Sequence, residues 1–227
     1  MCGRYTLKEN LKELEGYFAA TAVEFEYHPN YNVAPTHKMP VVLQDTESDR
    51  RRIEPFRWGL LPFWAKEKKM GYSLINARSE TIDSKKSYKH YVKNQRCLIP
   101  ASGFYEWKGE KANKTPFYVH PTQEPIFAFA GIYSRWRMPD SSRVIPSYTI
   151  ITTQANKPME ELHHRMPAML FNEEWQQWLD PANEDVSGLK NLLRPYPDDG
   201  LEFYQVSKAV NKVQNNMAEL LNQATLF

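Results

Sequence analysis

Apolar and polar positions along the chain change period several times, and each change marks an element. Alternation of period two, rich in aromatic and β-branched residues, predicts strands over "VVLQ" (41–44), "RIEPFRWGL" (52–60) and "FYEWK" (104–108). The same signal covers "PFYV" (116–119), "IFAFAGIYSRW" (126–136), "SYTIITT" (147–153) and "EFYQVS" (202–207). Pro55 inside the second run marks an edge or a bulge, because proline cannot donate to a ladder. Helical spacing appears over 6–19, where Thr6 and Glu9 form a capping-box pattern and Leu11, Leu14, Tyr17 and Phe18 share a face. It returns over 80–94, with Tyr88, Tyr91 and Val92 on the buried side, and over 172–180, 186–194 and 216–224. "HPNYNVAPT" (28–36) reads as a loop.

No repeat, low-complexity block or domain-sized linker interrupts these elements. Strands from early, middle and late segments must share one core, since no single stretch can bury a sheet alone. The expected fold is one α+β domain over residues 1–227, a mainly antiparallel, barrel-like sheet with surrounding helices. Residues 216–227 are expected to form a frayed tail.

Composition adds limits. With 227 residues, 41% of them hydrophobic, the chain can bury a core without staples. Cys2 and Cys97 are the two cysteines and form no metal-ligand spacing or disulfide framework. No basic-then-apolar leader opens the chain and no long apolar run spans a membrane, so a cytoplasmic protein with reduced thiols is expected. Charge is uneven: Lys85, Lys86, Lys89, Lys93 and Arg96 follow one another with no acid between Asp83 and Glu106. Arg51, Arg52, Arg57, Lys66, Lys68 and Lys69 form a second basic stretch, diluted by Glu54 and Glu67. Such stretches bind phosphates or simply make a solvated face.

Candidate chemistry gathers in four segments. Loss of Met1 would leave Cys2 at the terminus, with an amine and a thiol on adjacent carbons. An α-amine titrates near 7.7–8.0 and can attack an aldehyde; the thiolate can then close a five-membered thiazolidine. Arg4 nearby is expected to favour the thiolate. A small residue at a tethered end accounts equally for Cys2. Glu106 shares a strand face with Phe104, so burial would suit it to general acid/base work; pairing with an arginine is the alternative. In "LHHRMP" (162–167) a histidine can shuttle a proton or serve structure, and no spacing there favours a metal. Asn76 and Arg78 of "NAR" offer amide hydrogen bonds and a phosphate fork.

Taken together the motifs are specific. "MCGR" (1–4), "YNVAPT" (31–36), "RWGLLPFWA" (57–65), "NARSET" (76–81), "RCLIPASGFYEW" (96–107), "AGIY" (130–133), "TIITT" (149–153) and "HHRMPAML" (163–170) resemble, in order and spacing, the SOS response-associated peptidase (SRAP) family. The resemblance implies a protein that recognises abasic sites in single-stranded DNA, including junctions with duplex, and crosslinks to them through Cys2. It places the family's functional side chains on Cys2, Asn76, Glu106 and His163, with His164 in the variable position. It implies DNA contacts at Arg4, Arg78 and Thr152, and wedging or stacking by Pro35, Trp64 and Trp107. It implies no cofactor and no metal, a monomer, removal of Met1 by a host enzyme or by the protein itself, and possible reversal of the crosslink. Cys97 reads as core. Rival readings are a thiol protease built on Cys2 and His163, a lyase acting through the Schiff base, and a non-covalent DNA-binding module.

Overall fold

The computed structural model describes residues 2–45, 48, 50–110, 113–139 and 141–224. Its elements run β1 (Arg4–Leu7), α1 (Leu11–Phe18), β2 (Ala20–Ala22), β3 (Asn30–Val33), β4 (Lys38–Gln44) and β5 (Arg51–Trp58). Next come β6 (Asn76–Arg78), β7 (Arg96–Ala101), β8 (Gly103–Lys108), β9 (Thr115–Pro121), β10 (Phe127–Arg137) and β11 (Val144–Gln154). The chain finishes with α2 (Lys157–Glu160), β12 (Arg165–Pro167), β13 (Met169–Leu170), α3 (Trp175–Leu179), α4 (Val186–Asn191) and β14 (Leu201–Gln205).

The long strands β10 and β11 form an antiparallel pair, Gly131 opposite Ile150. On the far side of β10 lies β7, then β4, then β5. The end of β5 returns to β11 in parallel, Ser147 opposite Arg57 and Tyr148 opposite Trp58, so five strands close a barrel. Trp58 stacks on Tyr148 at the closure, ring planes 6° apart. Val42, Ile53, Phe56, Ile99, Ile132 and Ile150 from these strands are all buried in one hydrophobic core. A second sheet, ordered β14-β9-β8-β1-β3, covers one end. Tyr5 joins the two, its hydroxyl 2.7 Å from that of Tyr148 in the core. The fold is a single α+β domain with more sheet than helix, as the alternation requires.

Four expectations change, the first being that residues 28–36, read as a loop, contain β3, whose Val33 pairs with Tyr5 of β1. The first helix starts at Leu11, not residue 6: Asn10 caps the Glu13 N–H at 3.1 Å, and the Glu13 carboxylate accepts from the Asn10 N–H at 2.7 Å. Thr6 belongs to β1, opposite Gly103 of β8. Residues 80–94 bury Tyr88, Tyr91 and Val92 as expected, but form a 3-10 turn at Ser79–Thr81 and a chain of turns instead of an α-helix. The C-terminal segment is docked: a short 3-10 turn spans Ala218–Leu221, Leu220 is buried, and Tyr204 donates to the Leu221 carbonyl at 2.8 Å. Residues 225–227 of the expected tail lie outside the described residues. Pro55 sits in β5 between the part paired with β2 and the part paired with β11, where the missing N–H breaks no ladder.

Candidate functional site

β1 carries the start of the chain into the molecule. Its pairing with β8 sets Arg4 opposite Tyr105, and the next step along that register brings Glu106 beside Gly3. β6 runs parallel to β11, Asn76 level with Ile150, and the Asn76 amide nitrogen donates to the Cys2 carbonyl at 2.8 Å. The other amide atom, Oδ1, is buried and accepts no hydrogen bond among the described residues. Pairing of β12 with β11 delivers His163, just ahead of β12, to the same place. A cavity of about 470 Å³ opens there, lined by Gly3, Arg4, Glu106, Trp107, Lys114, His163 and Asn211.

The electrostatics follow from burial. Cys2 is fully buried and its sulfur donates to the Arg4 carbonyl at 3.7 Å. Desolvation, and then the Glu106 carboxylate, push the thiol well above its ordinary range. The expectation that Arg4 promotes a thiolate is therefore overturned. Its guanidinium instead donates to Asn32 Oδ1 at 2.6 Å and to the Val210 carbonyl at 2.9 Å. Glu106, 4% exposed, is also held above the usual carboxylate range, chiefly by desolvation. A carboxyl raised in this way is suited to take and return a proton in general acid/base work. His163 is depressed to about 4, first by burial. Its Nδ1 accepts the Arg165 N–H at 2.9 Å, so Nε2 carries the hydrogen in the neutral ring. The ring stacks on His164 with centroids 4.3 Å apart.

Cys2, Asn76, Glu106 and His163 thus meet at one place, with Arg4 and Trp107 at its edge. Trp107 is half-buried and donates from its indole to Asn211 Oδ1 at 2.8 Å. Arg78 is exposed and lines a neighbouring hollow of about 310 Å³ with Gln154, Glu160 and His164. Pro35 and Trp64 line neither cavity. Pro35 precedes Thr36, whose φ is 80°, in the turn before β4, and Trp64 lies half-buried with the Lys86 ammonium 5.2 Å over its ring. Thr152 cannot reach a phosphate in this structure: it is fully buried, donates to the Ala77 carbonyl, and accepts from Arg165 Nη2 at 3.3 Å. Cys97 is fully buried among core side chains. Met1 lies outside the described residues.

Two lining residues escape sequence reasoning, Lys114 and Asn211. Lys114 stands just before β9 with no chemical signature, and Asn211 ends a short 3-10 turn, Lys208–Asn211, that carries none either. Asn32 carried a faint signal within "YNVAPT". Fully buried, it donates from Nδ2 to the carbonyls of Val210, Lys212 and Asn215 while its oxygen holds Arg4. Among the described residues no group of His, Cys, Asp and Glu could hold a metal ion, and no helix is long and apolar enough to cross a membrane.

A family profile described as "SOS response associated peptidase (SRAP)" matches residues 1–213. The chain belongs to the SRAP family. An abasic site processing protein, YoqW of Bacillus subtilis, is 42% identical over 226 residues, covering 97% of this chain and 99% of YoqW. The chicken (Gallus gallus) abasic site processing protein HMCES is 36% identical over 227 residues, with 87% of this chain and 67% of HMCES covered. A crystal structure of a Bacteroides thetaiotaomicron protein superposes with a TM-score of 0.89 at 28% identity, covering 99% of this chain and all of that one. The SRAP match takes in every motif that meets at the cavity, from Cys2 to His163, together with Asn32 and Asn211.

Proposed function

We propose that this SRAP protein recognises abasic sites in single-stranded DNA and captures the ring-opened sugar as a thiazolidine on Cys2. The observation that carries this reading is one open cavity lined by Glu106 and His163, with Cys2 buried beside its Gly3 wall and held through its carbonyl by Asn76. The names of YoqW and HMCES support the lesion as substrate.

The chemistry begins with hydrolysis of the Met1–Cys2 peptide bond, which frees the Cys2 amine. In the closed sugar, the C1′ hydroxyl gives its proton to Glu106, and the protonated carboxyl returns one to the ring oxygen as the C1′–O bond breaks. His163, depressed to about 4, is neutral near pH 7, so it donates a hydrogen bond from Nε2 to that oxygen and not a whole proton. The amine adds to the aldehyde, and water leaves with a proton supplied by Glu106, giving the imine. The thiol then adds across the C=N bond: sulfur bonds to C1′ and its proton passes to nitrogen. One water is released overall. Burial keeps the sulfur protonated until this last step, and a tethered thiol gains effective molarity of roughly 10⁵ M or more over a free one. Asn76 holds the Cys2 backbone in line throughout. Arg4, Arg78 and the edge of Trp107 receive the flanking phosphates and a base, contacts that position the strand without reading its sequence.

A thiol peptidase acting on other proteins fits less well. The Cys2 sulfur bonds to a carbonyl, not to His163, and is held protonated where an activated nucleophile would be ionised. Intact-mass analysis after mixing with an abasic oligonucleotide provides the test. Met1-free protein should gain the oligonucleotide mass less one water, resist denaturation, and fail to do so as Cys2→Ala. Strand scission that persists in Cys2→Ala would assign the site to a lyase. Met1-free wild-type protein that leaves the oligonucleotide unmodified would overturn the proposal.

A further inference from the structure

Away from the Cys2 cavity, a second hollow of about 250 Å³ is bordered by four cations and no acid. Lys38 comes from the head of β4, Arg57 from the end of β5, Lys68 from the turn after it and Arg143 from the approach to β11, over a floor that includes Pro55 and Ile145. Neighbouring cations are neutralised: Glu54 takes both Arg52 and Arg135, and Glu67 takes Lys69. Among the described residues no ion pair holds any of the four that line the hollow.

Arg57 is seated rather than draped. Its Nη1 donates to the Gly59 carbonyl at 3.1 Å, and the guanidinium lies 5.6 Å over the ring of Tyr72. Two glycines make room for it. A Cβ on Gly59, whose φ is 109°, would fall 2.5 Å from the Gly71 carbonyl oxygen, and one on Gly71 would fall 2.6 Å from Arg57 Nη1. A cation fixed before its ligand arrives loses little freedom on binding.

We infer that this groove takes the phosphates of the DNA strand as it continues beyond the lesion, an inference that rests on the function proposed above. Continuity supports it. Asn32 holds Arg4 at the lesion cavity, and Lys38 borders the groove six residues later in the chain. Six residues span at most about 20 Å, the axial length of about six stacked nucleotides at roughly 3.4 Å each. The turn between, with Pro35 in it, is tied to the end of β5 by the Thr36 N–H donating to the Trp58 carbonyl at 2.9 Å. A 20-nucleotide strand is thus long enough to reach from one place to the other, with Pro35 in the turn between them. The unpaired cations supply the affinity and the apolar floor accepts a sugar face, a combination that favours nucleic acid over an acidic protein segment.

The test uses the double variant Lys68→Ala/Arg143→Ala, both exposed positions, with Lys68→Glu/Arg143→Glu as a stronger second form. Binding of a 20-nucleotide single-stranded abasic oligonucleotide is followed by anisotropy in a Cys2→Ala background across a salt series. The double alanine variant should bind several-fold more weakly, and its log–log salt slope should be shallower by about 1.4, two phosphate contacts at roughly 0.7 each. Crosslinking of a trinucleotide with a central abasic site, too short to reach the groove, should proceed at the wild-type rate when Cys2 is present. Unchanged affinity and slope in both variants would overturn the inference. So would an equal loss with the trinucleotide, or loss of polyglutamate binding with oligonucleotide affinity intact. Failure of the wild type to crosslink abasic DNA at all would instead count against the lesion reading, which the anisotropy series does not depend on.

Discussion

Burial of Cys2 and Glu106 in one small volume decides what each can do. Desolvation disfavours the thiolate ahead of the reaction, and the carboxyl, lifted above its usual range by the same cause, can hold a proton for part of the cycle. Glu106→Gln keeps the shape and removes the shuttle, so crosslinking should slow by about 10²-fold or more. The pH profile carries a second signature. Rate should rise as the Cys2 amine deprotonates near 7.7–8.0. His163, depressed to about 4, is uncharged above that value and gains a proton only as pH falls through it. His163→Gln should therefore lower the rate between about pH 5 and 8 without changing the shape of the curve. An inflection near pH 6.5 that vanishes in His163→Gln would contradict this assignment.

Strands set the site, and the tightest strand contact lies just before it. A Cβ at Gly103 would fall 2.3 Å from the Tyr118 ring, which is fixed by hydroxyl bonds to Thr6 at 3.2 Å and the Ser102 carbonyl at 3.1 Å. Gly103→Ala must push β8 from β9, at a cost of about 1–3 kcal/mol, and so displace Glu106 three residues on. Chemical denaturation and crosslinking rate, measured together, check both effects. The alternation that announces β8 was readable because Phe104 and Glu106 do face one way and Tyr105 and Trp107 pack elsewhere. The onset of α1 was not, since Thr6 and Glu9 share the capping-box pattern with Asn10 and Glu13. Only pairing of Thr6 with Gly103, a contact across most of a hundred residues, selects the second. The same limit hid Lys114 and Asn211, which owe their place to where a loop and a 3-10 turn end up rather than to any local pattern.

At the scale of the molecule, the barrel is closed by few parallel pairings, and aromatic packing there has to compensate. Trp58 is fully buried, stacks on Tyr148, meets the edge of Tyr5 at 5.3 Å and donates from its indole to the Ile75 carbonyl at 2.9 Å. Trp58→Ala should cost about 3–5 kcal/mol by equilibrium unfolding and loosen β6, which starts one residue after Ile75 and carries Asn76. Much of this architecture was legible from period-two runs. Which strands would close the ring was not, because the Arg57–Trp58 segment carries no mark that it will turn back to Ser147 and Tyr148.

Asn32 gives the design a further property. Through it the guanidinium that borders the reactive end is fastened to carbonyls at 210, 212 and 215. During synthesis those carbonyls follow Asn32 by 178 to 183 residues, so Arg4 must wait, without its final support, until that distant segment has left the ribosome. Arg4 is thus fastened only once residues 210–215 have emerged, and fragments from translation interrupted before them lack the means to hold it in place.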